Sequence, residues 1–343
     1  MYWVKPDGRG MNSDSKNNLT TQPLNDSTKS HIFGPVPSRR LGLSLGVDLI
    51  PTKTCTFDCL YCEVGRTTDR TLERRPYVPV NEVLEQLRQK LLVCKPDIIT
   101  LAGSGEPTLH SEIDQIIDGI KAFTDTRVAV LTNGSLFWDK EVRRCVQGAD
   151  IIMPTLSSAF DKTFKRIHRP DPELDLGTIF EGLKSLRGEY HGQMFLEVVF
   201  LAGINDTEEE EEALKDVIDT ICPDRIQINT VVRPPSDSRA KSLDRERLEG
   251  IKLLLGKNAE IIAGTPVGKD GFSGQTSAEI LLDTLKRRPL RAVDMVNSLD
   301  LDPDEVDDLI KGLLIKGSIH KQEHSGEIFY LSSEEGRIEG LGN

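Results

Sequence analysis

Three cysteines fall within eight positions of the stretch TKTCTFDCLYCEVGR, Thr52 to Arg66. The spacing Cys-x3-Cys-x2-Cys, at Cys55, Cys59 and Cys62, supplies three thiolates from one short loop. Three thiolates satisfy three corners of an iron–sulfur cubane and leave the fourth iron without a protein ligand. Zinc is the competing reading, but a structural zinc site takes four ligands, usually as two pairs of Cys or His, and no second pair follows in the sequence. His110, His168, His191, His320 and His324 are scattered. His320 and His324, four apart, fall in a predicted β-wing and read as exposed residues sharing a strand face. Cys94, Cys145 and Cys222 lie in apolar surroundings and read as small buried hydrophobes.

The elements that must position this loop follow from periodicity. Apolar strand-like runs lie at 43–50, 97–103, 127–134, 150–157, 195–203 and 225–232, separated by stretches with apolar residues three and four apart. That is six βα repeats, the pattern of a parallel sheet with crossover helices. The polar and glycine signals fall just after these strands: the cysteines, then GSGEPT, TNGS, SSAFD and GIND. In a parallel α/β barrel, loops at the C-terminal strand ends share one face, so dispersed signals of this kind converge on one site. The reading is therefore α/β: a partial (β/α)6 TIM-like barrel with a C-terminal winged-helix domain. Residues 1–30, rich in Asn, Ser, Thr, Asp and Gly, read as a disordered tail. Residues 31–265 form the barrel, 266–276 a glycine-containing linker, and 277–343 three helices followed by a hairpin with a Ser-Gly turn.

Composition narrows the function class. The chain has 343 residues, 37% hydrophobic and 29% charged, enough for a substantial core. A net charge of −12 gives no global pull toward a phosphate backbone. No apolar run reaches the roughly 18 residues needed to span a bilayer, and the N-terminus lacks a secretory h-region. A cytoplasmic protein with reduced thiols is expected.

The CTFDCLYC motif, with Tyr61 directly before the last cysteine, resembles the cluster motif of the radical S-adenosylmethionine (SAM) superfamily. GSGEPT resembles that superfamily's glycine-glycine-glutamate segment, and LTNG and PTLSSAFDKTFKRIHRP resemble its next two strand ends. The resemblance implies a 4Fe-4S cluster on Cys55, Cys59 and Cys62, with S-adenosylmethionine on the open iron. It implies one-electron cleavage of the cofactor to a 5'-deoxyadenosyl radical, and a one-electron reductant such as flavodoxin or ferredoxin. It also implies that the backbone of Tyr61 lies near the adenine and that Gly103, Gly105 and Glu106, or a nearby carbonyl, receive the methionyl ammonium. Asn133 completes the cofactor-binding set, and Ser157 or Asn205 contacts ribose or adenine. No further catalytic residue is singled out.

The block from Phe33 to Gly65 resembles a prokaryotic group related to wyosine-type tRNA-base synthases, so RNA or protein is the substrate class implied. No cysteine precedes Cys55 and none follows Cys222, so a single cluster is expected. Arg39, Arg40, Arg66, Arg70, Arg169 and Arg233 flank strand ends and suit an anionic substrate or the cofactor carboxylate. Residues 276–333 hold seven Lys/Arg and eleven Asp/Glu, and the third helix of the winged helix starts among carboxylates, so duplex DNA is disfavoured as a partner. The alternative is an iron–sulfur or zinc winged-helix regulator without catalytic activity. A regulator needs no set of converging strand-end loops.

Overall fold

A computed structural model describes residues 30–263, 277–299 and 301–333. The expected tail, the expected linker and the last ten residues lie outside the described residues. The first part of the chain runs β1 (Ile32–Ser38), β2 (Gly42–Val47), β3 (Thr54–Cys55), β4 (Asp69–Arg70), α1 (Val80–Leu91), β5 (Ile98–Leu101), a 3-10 turn (Pro107–Leu109), α2 (Ile113–Lys121), β6 (Arg127–Thr132), α3 (Lys140–Cys145) and β7 (Ile151–Pro154). It continues through α4 (Asp161–His168), α5 (Leu176–Glu189), β8 (Gln193–Phe200), α6 (Glu208–Ile221), β9 (Arg225–Thr230), α7 (Arg245–Leu255) and β10 (Ala259–Ile261). Then come α8 (Ser277–Leu285), α9 (Ala292–Leu299), α10 (Pro303–Ile315) and the hairpin β11 (Ile319–His324) and β12 (Glu327–Ser332).

The main sheet has eight strands in the order β1-β2-β5-β6-β7-β8-β9-β10. Every pairing from β2 to β10 is parallel, and β1 joins β2 antiparallel. The six strands expected from periodicity are all present. Two more extend the sheet at its edges. β1 escaped the pattern because Pro35 and Pro37 interrupt its run, and such residues are tolerated on an edge strand. β10 is only three residues long.

Local chemistry sets the helix starts. Side-chain oxygens of Asp139, Asp175, Thr207 and Asp244 accept from backbone N–H groups in the first turns of α3, α5, α6 and α7. β5 and β7 are buried at every position, as a sheet covered on both faces requires. One core cluster runs between the sheet and its helices. Cys94 and Cys145 are buried as expected, but Cys222 is exposed: it takes the left-handed conformation that ends α6, which carries it out of the core.

The C-terminal helices and hairpin enclose a second core around Leu281, Leu290, Met295 and Ile310. Leu290 bridges Tyr330 and so adds a third chain segment beside the hairpin. Ser325 and Gly326 turn the hairpin with positive φ at both positions. α8 and α9 pack against β1, so this unit covers one edge of the open sheet. No helix among the described residues is long and apolar enough to cross a membrane.

Candidate cofactor site and arginine-lined chamber

The cysteines lie on the loop between β2 and α1. Backbone hydrogen bonds hold that loop from both sides: Asp58 N donates to His168 O and Leu60 N to Ile167 O at the end of α4, while Ser236 N donates to Cys62 O and Asp237 N to Leu60 O. The Ser236 hydroxyl adds bonds to the carbonyls of Cys59 and Leu60. The Asp58 carboxylate accepts from Arg66, Thr67 N and Arg169. Burial alone would raise its pKa, but these three donors outweigh it and hold the carboxyl below the usual range.

All three cysteines are half-buried free thiols. Burial pushes Cys55 up to about 12, with the Glu106 carboxylate adding to the effect. It pushes Cys62 up to about 11, and Cys59, which also faces the other two sulfurs, well above its ordinary value. The hydrogen bonds to these sulfurs are long: Asn133 Nδ2 stands 3.6 Å from Cys55 Sγ, and His168 Nδ1 stands 3.4 Å from Cys59 Sγ. His168 is buried against Phe57, Phe164 and Tyr61, and burial pushes its pKa down to about 3, so the imidazole stays neutral beside the sulfur. Its Nε2 is buried and finds no partner among the described residues. Three soft, poorly solvated thiols of this kind suit a cationic iron–sulfur group, which would stabilise them as thiolates. Among the described residues, no three His, Cys, Asp or Glu side chains are arranged to hold a single metal ion.

The GSGE segment after β5 presses directly on this loop. A Cβ at Gly105 would stand 1.9 Å from Thr54 O, so only glycine lets the two backbones touch here. Gly103 has φ +144° and meets the Asp48 side chain. Asp48, which carried no signal in the sequence, accepts from Ser104 N and Ser104 Oγ and also from Arg287 Nε at 2.9 Å.

Glu106 is 2% exposed, and its carboxylate accepts four hydrogen bonds: from Thr108 N, Thr108 Oγ1, Thr132 Oγ1 and Asn133 N. Burial nevertheless raises its pKa. Three of these bonds fall on Oε1 and one on Oε2, so the carboxylate ties the β5 loop to the β6 loop and keeps acceptor capacity on Oε2. Asn133 sits at the junction, with its amide on Thr56 Oγ1 and toward Cys55 Sγ.

Ser157 and Asn205 lie together beside the site. Ser157 Oγ accepts from Val199 N, and Asn205 donates to Ser157 O and Val199 O while accepting from Leu201 N. Both are buried and join β7 to β8; neither lines the adjoining cavity.

That cavity, about 340 Å³, reaches Tyr61, Cys62 and Gly103 at one side and is lined by Arg39, Arg40, Arg233, Arg287 and Arg288. Arg233 Nη1 donates to both carboxylate oxygens of Glu63 at 2.9 Å, and Arg40 pairs with Glu197 at 2.9 Å. Of the other arginines noted in the sequence, Arg66 and Arg169 pair with Asp58, and Arg70 is exposed and donates to Arg169 O. Arg287 and Arg288 were missed because they follow α8, far from any strand end of the barrel.

The fold and the match to a family pattern define a radical SAM superfamily enzyme. The pattern of the family described as "Radical SAM superfamily" matches residues 49–217, and enzymes of that superfamily bind a 4Fe-4S cluster and S-adenosylmethionine and need an electron donor and a substrate. The reading as a non-catalytic regulator is therefore set aside. More narrowly, the chain belongs to the UPF0026 family. It is 31% identical over 318 residues to a UPF0026 protein of Methanocaldococcus jannaschii, covering 91% of this chain and 98% of that one. A protein of Brachyspira hyodysenteriae named "GTPase Obg" is 35% identical over 329 residues, covering 92% of this chain. This chain spans 48% of that relative's length. A radical SAM methyltransferase from Sphaerobacter thermophilus shares the fold, with a TM-score of 0.50 at 17% identity over 64% of this chain and 65% of the other.

Proposed function

We propose that Cys55, Cys59 and Cys62 hold the cluster, that the backbone of Gly103 to Gly105 together with Tyr61 and Asn133 forms the bed for S-adenosylmethionine, and that the adjoining cavity takes the substrate. When bound, these cofactors supply one-electron cleavage of the sulfonium bond and a 5'-deoxyadenosyl radical. The chain's own residues do the positioning. Glu106 clamps the β5 and β6 loops together, Gly105 lets the cofactor loop close on the cysteine loop, and Asp58 and Ser236 fix the path between the sulfurs. His168, neutral and enclosed by aromatic rings, keeps water from Cys59.

One observation carries this reading: the three-thiol loop, the glycine contact at Thr54 and the chamber wall at Cys62 meet at the C-terminal ends of β2, β5 and β6. We read residues 31–265 as the radical SAM partial barrel, 266–276 as a linker and 277–343 as a winged-helix domain that acts in protein interaction or substrate presentation. The likeness of the block from Phe33 to Gly65 to wyosine-type tRNA-base synthases keeps RNA, beside protein, in the substrate class. A flavodoxin- or ferredoxin-type reductant in the cytoplasm completes the system.

The test is anaerobic reconstitution with iron and sulfide, followed by reduction with S-adenosylmethionine present. The wild type is expected to bind one 4Fe-4S cluster and release 5'-deoxyadenosine. The C55A/C59A/C62A variant is expected to lose both. Full iron and sulfide content in that variant would overturn the assignment.

A further inference from the structure

Among the described residues, the chamber beside Cys62 has more arginines than bonded carboxylates. Five arginines line it, and three carboxylates answer them: Glu63 on Arg233, Glu197 on Arg40, and Asp48 on Arg287. Asp294, whose charge also acts on Arg288, is itself bonded to Arg291 through two parallel bonds at 3.0 Å. Among the described residues, Arg39 and Arg288 have no hydrogen-bonded carboxylate of their own. Arg39 is bonded to the neutral Asn229 Oδ1 at 3.1 Å, and the Nε of Arg288 is buried with no partner among the described residues. Both crowd Arg233, and Glu63 is the carboxylate that all three share. Burial, then repulsion from Arg233, pushes Arg39 down to about 10 and Arg288 down to about 9.

Arg39 and Arg288 are half-buried at the chamber wall, and guanidinium groups that face a cavity without a bonded carboxylate are placed to receive an anion. The size of the surplus narrows the ligand. The cofactor's single carboxylate would answer one positive charge, whereas a phosphate monoester carries roughly −1.5 to −2 at neutral pH. Guanidinium groups also present paired donors matched to phosphate oxygens. The groups converge from distant parts of the chain: Arg39 from the β1–β2 turn, Arg233 from beyond β9, and Arg288 from the end of α8. The seat therefore exists only when the C-terminal unit is docked on β1.

We propose that Arg39, Arg233 and Arg288 seat a phosphate group of the substrate, so that the chamber beside Cys62 takes a phosphorylated compound. This rests on the radical SAM reading only for the word substrate; the anion seat stands or falls on binding.

Inorganic pyrophosphate is titrated calorimetrically into the cluster-loaded full chain, beside succinate and S-adenosylmethionine. Pyrophosphate is expected to bind at least about tenfold more tightly than succinate, and R39Q and R288Q are each expected to weaken it about 10- to 100-fold, the loss of one charge-assisted fork. R39K and R288K keep the charge without the fork and are expected to fall between, which separates loss of the seat from loss of the fold. K184Q, on a distant exposed ion pair, is expected to leave pyrophosphate affinity within about twofold. Equal affinity for succinate overturns the phosphate assignment. A fall in S-adenosylmethionine affinity in step with pyrophosphate overturns the substrate role, because the arginines would then serve the cofactor. A wild type that releases 5'-deoxyadenosine but does not bind pyrophosphate sinks this proposal alone. One that binds pyrophosphate without releasing 5'-deoxyadenosine sinks the radical reading and leaves the seat.

Discussion

At the scale of single residues, the site depends on contacts that admit one side chain. Gly105 lies against Thr54 O, and any Cβ there must push apart the cysteine loop and the GSGE segment. G105A is expected to cost about 1–3 kcal/mol, as overpacking does, and to weaken S-adenosylmethionine binding more than it lowers the thermal midpoint. Calorimetric titration and thermal unfolding of the same preparation check this. An unchanged affinity would mean that the loop contact is irrelevant to the cofactor. The position of Glu106 was readable from the motif, but its four hydrogen bonds could be seen only once Thr108, Thr132 and Asn133 were placed around it.

At the scale of elements, three ion pairs join the C-terminal unit to its surroundings and to itself. Arg287, after α8, and Asp48, after β2, are each 6% exposed, and the same Asp48 carboxylate holds Ser104 in the GSGE segment. R287M leaves that carboxylate buried without its cation and is expected to destabilise by about 3–5 kcal/mol, while D48N/R287M, which removes both charges, costs less. Urea unfolding of the single and double variants decides it; equal losses would show that the charges do not interact. Within the unit, Asp294 is bonded to Arg291, which reaches across to Glu327 on the hairpin. Burial raises the Asp294 pKa, but the bonds from Arg291 outweigh it, so the folded value lies below the unfolded one. The stability this gives is present above the unfolded value of about 3.9 and is lost as pH falls through the folded value. D294N is expected to lower the thermal midpoint at pH 7 and to shrink the further loss between about pH 5 and pH 2. An acid-induced loss as large in D294N as in the wild type would assign it to other carboxylates.

At the scale of the whole molecule, the arginines of the C-terminal unit are engaged within the protein, and its lysines Lys311, Lys316 and Lys321 are exposed. Arg287 and Arg288 line the chamber, Arg291 is tied to Asp294 and Glu327, and Lys311 is paired with Asp308. The start of α10 is closed by a capping box of Asp302 and Glu305, a use of carboxylates that stabilises a helix N-terminus and repels phosphates. The full chain is therefore expected to bind random duplex DNA no better than non-specific proteins do. A binding isotherm that weakens steeply with salt, with a slope of about −5 or more against log salt, would require several phosphate contacts and overturn this.

Much of this molecule follows from the sequence by itself. The three thiols stand on one loop because their spacing is local. The six parallel strands follow from alternating apolar runs, which report burial on a repeating period without reference to distant partners. The demand for glycine after β5 could be read from the motif. Tertiary structure alone decided what those elements meet. Asp48 and Arg287 lie 239 positions apart, Arg39 and Asn229 lie 190 apart, and Arg233 and Glu63 lie 170 apart. No local period links such pairs. The bonds of Ser157 and Asn205 across the β7–β8 joint, and the place of Arg288 on the chamber wall, appear only when β7 lies beside β8 and α8 lies on β1. A sequence shows which groups a chain carries, but whether a charge is answered depends on which distant segments fold against it.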